Sequence, residues 1–354
     1  MHRRALLTLL ACGVAGARSA PAAPASHPLQ FPADFGAHPT SRTEWWYVTG
    51  SLQSGTRMWG FQVTFFRSAT GLRANPGSRF AADELVFAHA ALTDLEQRRL
   101  RHDQRIARAG FGIANAGVGD TDVSLRDWRL VRAADAYRAM VASDSAGFAL
   151  DLELVPTQPL LLQGEAGLSR KGPLPAQWSQ YYSEPQLAVQ GTLTLDGKPL
   201  TVQGRAWLDH EWSDTFLDRE AVGWDWIGMN LIDGGALMAF RVRRADGSVL
   251  YAGGSVRRAG ESAVRNFAPE EVSFEPQRQW ESPASRARYP VQWRVTTPAG
   301  RFTVQALLDD QELDSRNSTG AIYWEGLSEL LDASGARVGL GYLELTGYAA
   351  ALRL

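Results

Sequence analysis

The sequence predicts an all-β protein, and three observations support this fold class. From Leu187 to Leu195 apolar and polar residues alternate, which is typical of a strand with one buried face. Few stretches of the chain follow the helical period. Glycine-containing turns separate strand-like runs at Asp196-Gly197, Asp246-Gly247 and Ser334-Gly335. Many short strands separated by turns are typical of antiparallel barrels or sandwiches.

The chain has 354 residues, which is enough for two medium-sized domains. An acidic stretch poor in apolar residues runs from Asp214 to Glu220, and we place a domain boundary within it. The predicted domains, 40–216 and 217–354, are each an antiparallel barrel. One large sandwich is the alternative, because the sequence contains no strict repeat. The segment from Ser68 to Ala82 is predicted to be a long loop that covers a barrel mouth.

The first residues have the pattern of an export signal. Arg3 and Arg4 precede an apolar run from Ala5 to Ala17, which is too short to cross a hydrocarbon core about 30 Å thick as a helix. We therefore expect a cleaved signal at 1–22, possible twin-arginine export, and a periplasmic or secreted protein without an integral membrane span. A lipoprotein signal at Cys12 is the alternative. The segment 23–39, rich in Ala and Pro, is predicted to be a linker.

The charge and the motif content exclude several classes of protein. The formal net charge of −2 provides no basic field for a nucleic acid. Cys12 is the single cysteine, so the mature chain is expected to have no disulfide and no thiolate metal site. We found no nucleophile elbow, no phosphate-binding glycine loop and no histidine cluster with metal-ligand spacing. The sequence therefore predicts neither a metal nor a cofactor.

Two tryptophan-rich motifs resemble those of a known family. The first is Arg42-Thr43-Glu44-Trp45-Trp46-Tyr47; the second is Trp207-Leu208-Asp209-His210-Glu211-Trp212-Ser213, followed by Gly223-Trp224-Asp225-Trp226-Ile227-Gly228. From about Thr40 to Leu354 the chain resembles the AttH and carotenoid 1,2-hydratase family. The resemblance implies two consecutive lipocalin-like barrels of the calycin type. Some members of this family hydrate an isolated carbon–carbon double bond, and AttH-like relatives suggest a link to envelope transport.

The candidate catalytic residues are Asp209, His210, Glu211 and Asp225. On a strand, Asp209 and Glu211 share one face and His210 lies on the other. Two neighbouring carboxyls in an apolar barrel have raised pKa values, so one of them could remain a proton donor at neutral pH. The structural alternative is that both carboxylates pair with Arg205 or cap backbone N–H groups. His210 is either a polar pocket residue or a hydrogen-bonded structural histidine.

The candidate ligand-binding residues are mostly aromatic, which suits an apolar molecule. They are Glu44, Trp45, Trp46, Tyr47, Trp207, Trp212, Trp224 and Trp226. Each tryptophan could instead fill a core. Trp45 and Trp46 must point to opposite sides of their strand, whereas Trp224 and Trp226 share a face opposite Asp225. Glu44 is either a buried acid at a barrel entrance or the partner of Arg42.

One segment departs from the hydratase pattern. In the carotenoid hydratases the Asp-His-x-Trp element is followed by a strand that carries Tyr-x-Asp, whose aspartate is regarded as the proton donor. The corresponding strand here, Leu237 to Arg241, contains neither Tyr nor Asp. The leading hypothesis is thus an exported carrier of a lipid, isoprenoid or similar apolar ligand that serves an envelope transporter. A hydratase-like lyase and a structural envelope protein with filled barrels are the alternatives.

Overall fold

The protein folds almost entirely into antiparallel strands, as the sequence predicts. The computed structural model describes residues 28–71, 82–215 and 217–352. The predicted signal at 1–22 and most of the predicted loop from Ser68 to Ala82 lie outside these described residues. Two short 3₁₀ helices, Ala33–Phe35 and Pro269–Glu271, accompany the strands. The all-β prediction, with two lipocalin-like barrels, is confirmed.

The first sheet contains the strands from β1 to β13. Their spatial order is β4-β3-β2-β1-β13-β12-β9-β8-β7-β6-β5, with β10 and β11 paired to β12. The bounds are β1 Thr43–Ser54, β2 Arg57–Ala69, β3 Glu84–Asp94, β4 Arg99–Arg108, β5 Ala114–Ala116, β6 Asp122–Leu125, β7 Trp128–Ala133, β8 Ala136–Ser143, β9 Phe148–Val155, β10 Leu161–Leu162, β11 Leu168–Arg170, β12 Trp178–Leu195 and β13 Lys198–Ser213.

The second sheet contains the strands from β14 to β23. Their spatial order is β17-β16-β15-β14-β23-β22-β20-β19-β18, with β21 paired to β22. The bounds are β14 Ala221–Leu231, β15 Ala236–Arg244, β16 Val249–Arg257, β17 Arg265–Phe267, β18 Ser273–Glu281, β19 Arg288–Thr297, β20 Gly300–Ala306, β21 Glu312–Ser315, β22 Ala321–Leu331 and β23 Arg337–Leu345. The acidic stretch from Asp214 to Glu220 connects the two sheets.

Both sheets curve around an apolar core. On β4, the Arg105 guanidinium donates to the Ala142 carbonyl of β8 at 3.0 Å, so the edge strand β4 curves towards a strand in the far half of the first sheet. On β15, the Arg241 guanidinium donates to the Phe274 carbonyl of β18 at 3.2 Å, which has the same effect in the second sheet. Each sheet therefore encloses its own cluster of buried apolar side chains.

The alternating run from Leu187 to Leu195 forms the end of β12 and turns into β13 through a hairpin. Leu195 pairs with Lys198, and the two turn residues Asp196 and Gly197 have φ values of 49° and 78°. A two-residue turn with positive φ angles matches the twist of the flanking strands. Leu187 and Leu193 therefore enter the first core together with the other alternating apolar residues. The predicted hairpin is present.

The segment before β1 packs against the first barrel. Phe35 is buried in the first core, and Phe31 packs against it from the surface. Sequence reasoning predicted a linker at 23–39, because its Ala- and Pro-rich composition gives no periodic signal. Within residues 28–71, 82–215 and 217–352, no helix has the length and apolar character needed to span a bilayer.

Candidate functional site

The two sheets pack against each other through a shared apolar cluster. Trp207 of β13 and Trp226 of β14 meet edge to face, with ring centroids 6.2 Å apart. Tyr47 of β1 meets Trp226 in the same way at 5.5 Å. The other buried members are Leu161, Tyr181, Ala221, Ala236, Met238, Phe240, Val242, Leu327 and Tyr342. Residues from both sheets therefore surround the space between them.

A large cavity opens beside this shared cluster, and we call it the intersheet cavity. Its volume is about 1250 Å³, which is above the usual range for sites that take drug-sized ligands. Its aromatic walls come from both sheets and include Trp45, Tyr47, Phe66, Trp224, Trp226 and Phe240. Sequence reasoning expected a ligand inside a barrel, whereas this cavity lies between the two barrels.

The register of β13 with its neighbours explains which side chains reach the cavity. Asp209 lies opposite Tyr47 of β1, and Glu211 lies opposite Trp45. All four side chains point out of the first barrel and line the intersheet cavity. The expectation that Asp209 and Glu211 share a face of one strand agrees with this register.

Asp209 is a buried carboxyl with three hydrogen-bond donors. Its Oδ1 accepts from Ser183 Oγ at 2.5 Å and from Trp207 Nε1 at 2.6 Å, and its Oδ2 accepts from the Tyr181 hydroxyl at 2.6 Å. Burial raises the pKa of Asp209 to about 7, although the three donors act in the opposite direction. Arg205, considered as a partner from the sequence, donates to the Gln186 carbonyl instead.

Glu211 is paired with a lysine that sequence reasoning did not single out. Lys171 Nζ lies 2.8 Å from the Glu211 carboxylate, and both side chains are almost fully buried. The Ser179 hydroxyl donates a further hydrogen bond to Glu211. Burial raises the pKa of Glu211, while Lys171 opposes that rise. The Lys171 ammonium also lies 4.5 Å from the Tyr181 ring and 4.6 Å from the Phe240 ring.

Two further acids, Glu325 and Glu344, enter the cavity from the second sheet. They are direct cross-strand partners on β22 and β23. Burial raises the pKa of Glu344 to about 7, and burial followed by the charge of Glu344 raises the pKa of Glu325 well above its ordinary value. Sequence reasoning missed both residues. The available signal was a single acid inside an apolar strand, as in Tyr342-Leu343-Glu344-Leu345.

His210 and Glu44 occupy the opposite face of the same strands, inside the first barrel, and Glu44 also borders the intersheet cavity. His210 Nε2 donates to Glu44 Oε1 at 2.9 Å, and the Tyr182 hydroxyl donates to His210 Nδ1 at 3.0 Å. Burial lowers the pKa of His210, which matches this neutral tautomer. Arg67 Nε donates to Glu44 Oε2 at 2.8 Å. Arg67, and not Arg42, is thus the arginine paired with Glu44.

His38, Glu44 and His210 are close enough together to hold a metal ion. Hydrogen bonds also satisfy the same atoms. His38 Nδ1 lies 2.7 Å from Glu44 and its Nε2 lies 3.2 Å from Asp34, so the His38 ring bridges two carboxylates. Although burial acts to raise it, these histidines hold the pKa of Glu44 below its ordinary value. Because Arg67 already neutralises Glu44, we interpret the group as a structural hydrogen-bond network.

The remaining candidates are divided between the cavity and the barrel interiors. Trp224 and Trp226 line the cavity, while Asp225 points into the second barrel and binds Arg241 at 2.6 Å and Arg243 at 3.0 Å. Trp46 stacks on His210, and Trp212 stacks on His38 inside the first barrel. Trp207 packs in the shared cluster beside the cavity.

The family follows from comparison with known proteins. The model of the AttH-like family matches residues 22–348. The chain belongs to the AttH-like family. An AttH-type protein of Nitrosomonas europaea has 49% sequence identity and a TM-score of 0.84, and the match covers 91% of this chain and 98% of that one. The predicted family resemblance is confirmed.

A more distant structural relative of this AttH-like protein is an enzyme. Kievitone hydratase from Nectria haematococca superposes with a TM-score of 0.71 over 91% of this chain and 94% of its own, at 15% sequence identity. At that identity the likeness shows a common fold alone. A comparison with curated proteins gave no match.

In this AttH-like chain the acids of the second sheet that line the cavity do not lie on the strand where the hydratase pattern has its acid. Phe240 and Val242 of β15 face the cavity, and β15 itself contains no carboxylate. The cavity acids of the second sheet come instead from β22 and β23, two strands on the other side of β14. The sequence motif alone therefore does not identify the acids of this site.

Proposed function

We propose that this protein binds an apolar ligand of the lipid or isoprenoid type in the intersheet cavity. The observation that carries the proposal is a cavity of about 1250 Å³ with aromatic walls contributed by both sheets. Aromatic side chains provide rigid apolar contact area at a small cost in side-chain entropy. The partly buried rings of Trp45 and Trp224 offer such surface to a ligand.

Native mass spectrometry of protein purified from its own host tests this proposal. We expect an additional mass that organic extraction removes and identifies as an apolar molecule. Trp224→Ala should reduce the occupancy, because this ring lines the cavity. Trp280→Ala is the matched control, since Trp280 is also partly buried in a strand but packs on the second core. Ligand-free protein that also fails to bind apolar probes would contradict the proposal.

We propose further that the carrier works outside the cytoplasm and serves an envelope transporter. The support is the signal-like segment with Arg3 and Arg4 together with membership of the AttH-like family. Fractionation of the host should find the mature chain in the periplasm or medium. Full-length protein in the cytoplasm would contradict this location.

A second candidate function is acid-catalysed addition of water to an isolated double bond. Asp209 favours it, because a carboxyl whose pKa is raised to about 7 can still donate a proton near neutral pH. Incubation with a ψ-end carotenoid should then give a product heavier by one water. Asp209→Asn should abolish that product and keep binding. If the unaltered protein binds the carotenoid without converting it, the hydratase function is contradicted and the carrier function stands.

A further inference from the structure

The intersheet cavity contains an acidic cluster, which we define as Asp209, Glu211, Glu325 and Glu344. Asp209 and Glu211 come from the first sheet, and Glu325 and Glu344 from the second. The exposed fraction of Asp209 and Glu211 is 4% and that of Glu325 is 2%. The two pairs interact across the cavity, since Asp209 and Glu211 both raise the pKa of Glu344. An apolar cavity thus contains four carboxyl groups.

The protein neutralises this acidic cluster only in part. Lys171 pairs with Glu211. Asp209 has its three donors, and Glu344 accepts one hydrogen bond from Trp224 Nε1 at 3.0 Å. Glu325 differs from the others, because neither of its buried carboxyl oxygens has a hydrogen bond within 3.5 Å in the described ranges of the chain. The Tyr47 hydroxyl, which also lacks such a bond, interacts with Glu325 only weakly. A buried acceptor without a donor costs roughly 1–3 kcal/mol, and more when it is charged.

A donor that also carries positive charge would both satisfy the oxygens of Glu325 and favour its ionised form. An ammonium group offers three N–H donors and neutralises a neighbouring carboxylate. The rings of Tyr47, Trp226 and Phe240 line the same cavity, and aromatic faces attract cations. Lys171 provides a precedent within the site, since its ammonium lies near two aromatic rings and a carboxylate.

We propose that the ligand of the intersheet cavity is an amphiphilic amine. Its ammonium group lies between Glu325 and Glu344, and its hydrocarbon part lies along the aromatic walls. This inference rests on the proposed binding function and adds the chemical class of the ligand. An anionic lipid would face four carboxyl groups, and a plain hydrocarbon would leave both oxygens of Glu325 without a hydrogen bond within 3.5 Å.

An organic cation fits the cavity better than a metal ion does. Within the described part of the chain, no three carboxyl groups of the acidic cluster bring their oxygens within 4.8 Å of one another. A hard divalent cation needs several oxygens at about 2.0–2.6 Å. The large volume and the aromatic walls instead suit an ammonium group attached to an apolar body.

The charges around Glu325 make amine binding dependent on pH. Tyr47 of β1, Tyr323 of β22, and Glu344 and Tyr342 of β23 interact with Glu325. The other charged or titratable residues that line the cavity are Asp209, Glu211, Lys171, Arg42, Glu44, Arg67, His89, Tyr181 and Asp214. An ammonium group favours the ionised carboxyls, so its binding displaces protons from the cluster. An aliphatic amine stays protonated below its pKa of about 10. Because burial raises the pKa of Glu344 to about 7, the affinity for the amine should rise between about pH 6 and about pH 8.

Calorimetric titration with chain-matched probes tests the inference. Dodecylamine, dodecanol and dodecanoate share a hydrocarbon chain and differ in the charge of the polar group. At about pH 8 we expect dodecylamine to bind about tenfold or more tightly than dodecanol, and dodecanoate most weakly. Glu325→Gln should reduce the affinity for the amine to that for the alcohol and leave the alcohol unaffected. Glu329→Gln is the matched control, because Glu329 lies on the same strand, pairs with Arg337 and does not line the cavity.

The possible results separate the inference from the function on which it rests. Equal binding of amine and alcohol, or an amine affinity that Glu325→Gln leaves unchanged, overturns the inference while the carrier function stands. Failure of all three probes contradicts the binding function itself. If Glu325→Gln does not fold, proton release in the unaltered protein decides. Titration of the amine in two buffers of different ionisation enthalpy should show protons released, and their absence overturns the inference.

Discussion

Asp209 illustrates at the residue scale how burial and hydrogen bonding oppose each other in this site. Three donors from Ser183, Tyr181 and Trp207 favour its ionised form, yet burial has the larger effect and raises its pKa to about 7. The folded protein therefore binds this proton more tightly than the unfolded chain does. By linkage, the contribution of Asp209 to stability is complete below its ordinary pKa and is lost as the pH rises towards the folded value.

Asp209→Asn should flatten the pH dependence of stability. Between about pH 4 and about pH 7 the buried carboxyl contributes a slope of up to about 1.4 kcal/mol per pH unit, and stability falls as the pH rises. Glu344 and Glu184, whose pKa values burial also raises to about 7, add slopes of the same sign. Chemical unfolding at a series of pH values measures the change.

The exposed Asp144, in the turn between β8 and β9, provides the control for this prediction. Asp144→Asn should keep the slope of the unaltered protein. The plots of stability against pH for Asp209→Asn and for the unaltered protein are then compared. If they stay parallel over this pH range, the Asp209 proton does not contribute to the slope.

At the scale of the element, β13 has polar residues on both of its faces, and the two faces have different surroundings. Its odd-numbered residues Asp209 and Glu211 line the intersheet cavity, and His210 and Trp212 enter the first barrel. This separation follows from the alternation of side chains along a strand. A different strand, β2, also approaches the second sheet closely. At Gly60 of β2, an added Cβ would lie 2.7 Å from the Tyr342 hydroxyl and 2.8 Å from Leu327 Cβ.

Gly60→Val should therefore separate the two sheets locally. We expect a loss of about 1–3 kcal/mol, as is usual for overpacking of a core, and weaker binding of apolar probes in the adjoining cavity. Gly247→Asn is a suitable control, since that position is an open turn with φ of 82° that asparagine tolerates. Unchanged stability and probe affinity in Gly60→Val would contradict the close contact between the sheets.

On the scale of the whole molecule, the two sheets share one apolar cluster and one cavity. Trp207 and Tyr47 from the first sheet pack with Trp226 and Tyr342 from the second. Separation of the sheets would expose these rings to water. The free-energy cost is about 25 cal/mol for each Å² of apolar surface that becomes exposed. The two sheets should therefore unfold together.

Calorimetry of the full chain should show a single unfolding transition. Leu327 and Leu330 are both fully buried on β22, but Leu327 lies in the shared cluster and Leu330 in the second core. Each substitution by Ala should cost about 2–5 kcal/mol and lower the same single melting temperature. Two resolved transitions, of which Leu330→Ala shifts only one, would show that the sheets unfold independently.

Local rules were sufficient for much of the fold. The alternation from Leu187 to Leu195 and the turn at Asp196-Gly197 identify a hairpin from neighbours in sequence alone. The packing of Phe35 and His38 was not predicted, because their partners Tyr182 and Trp212 are distant in sequence. The same reason explains why Glu325, Glu344 and Lys171 were missed as members of the site.

The sequence by itself determined the all-β class, the family, and the common face of Asp209 and Glu211, since each depends on local pattern or on a motif. Tertiary structure alone decided that the cavity lies between the barrels, that His210 and Asp225 point away from it, and that Glu325 and Glu344 face Asp209 across it. The physical reason is that strand alternation fixes which side chains share a face. The packing of one sheet on the other then decides what each face meets.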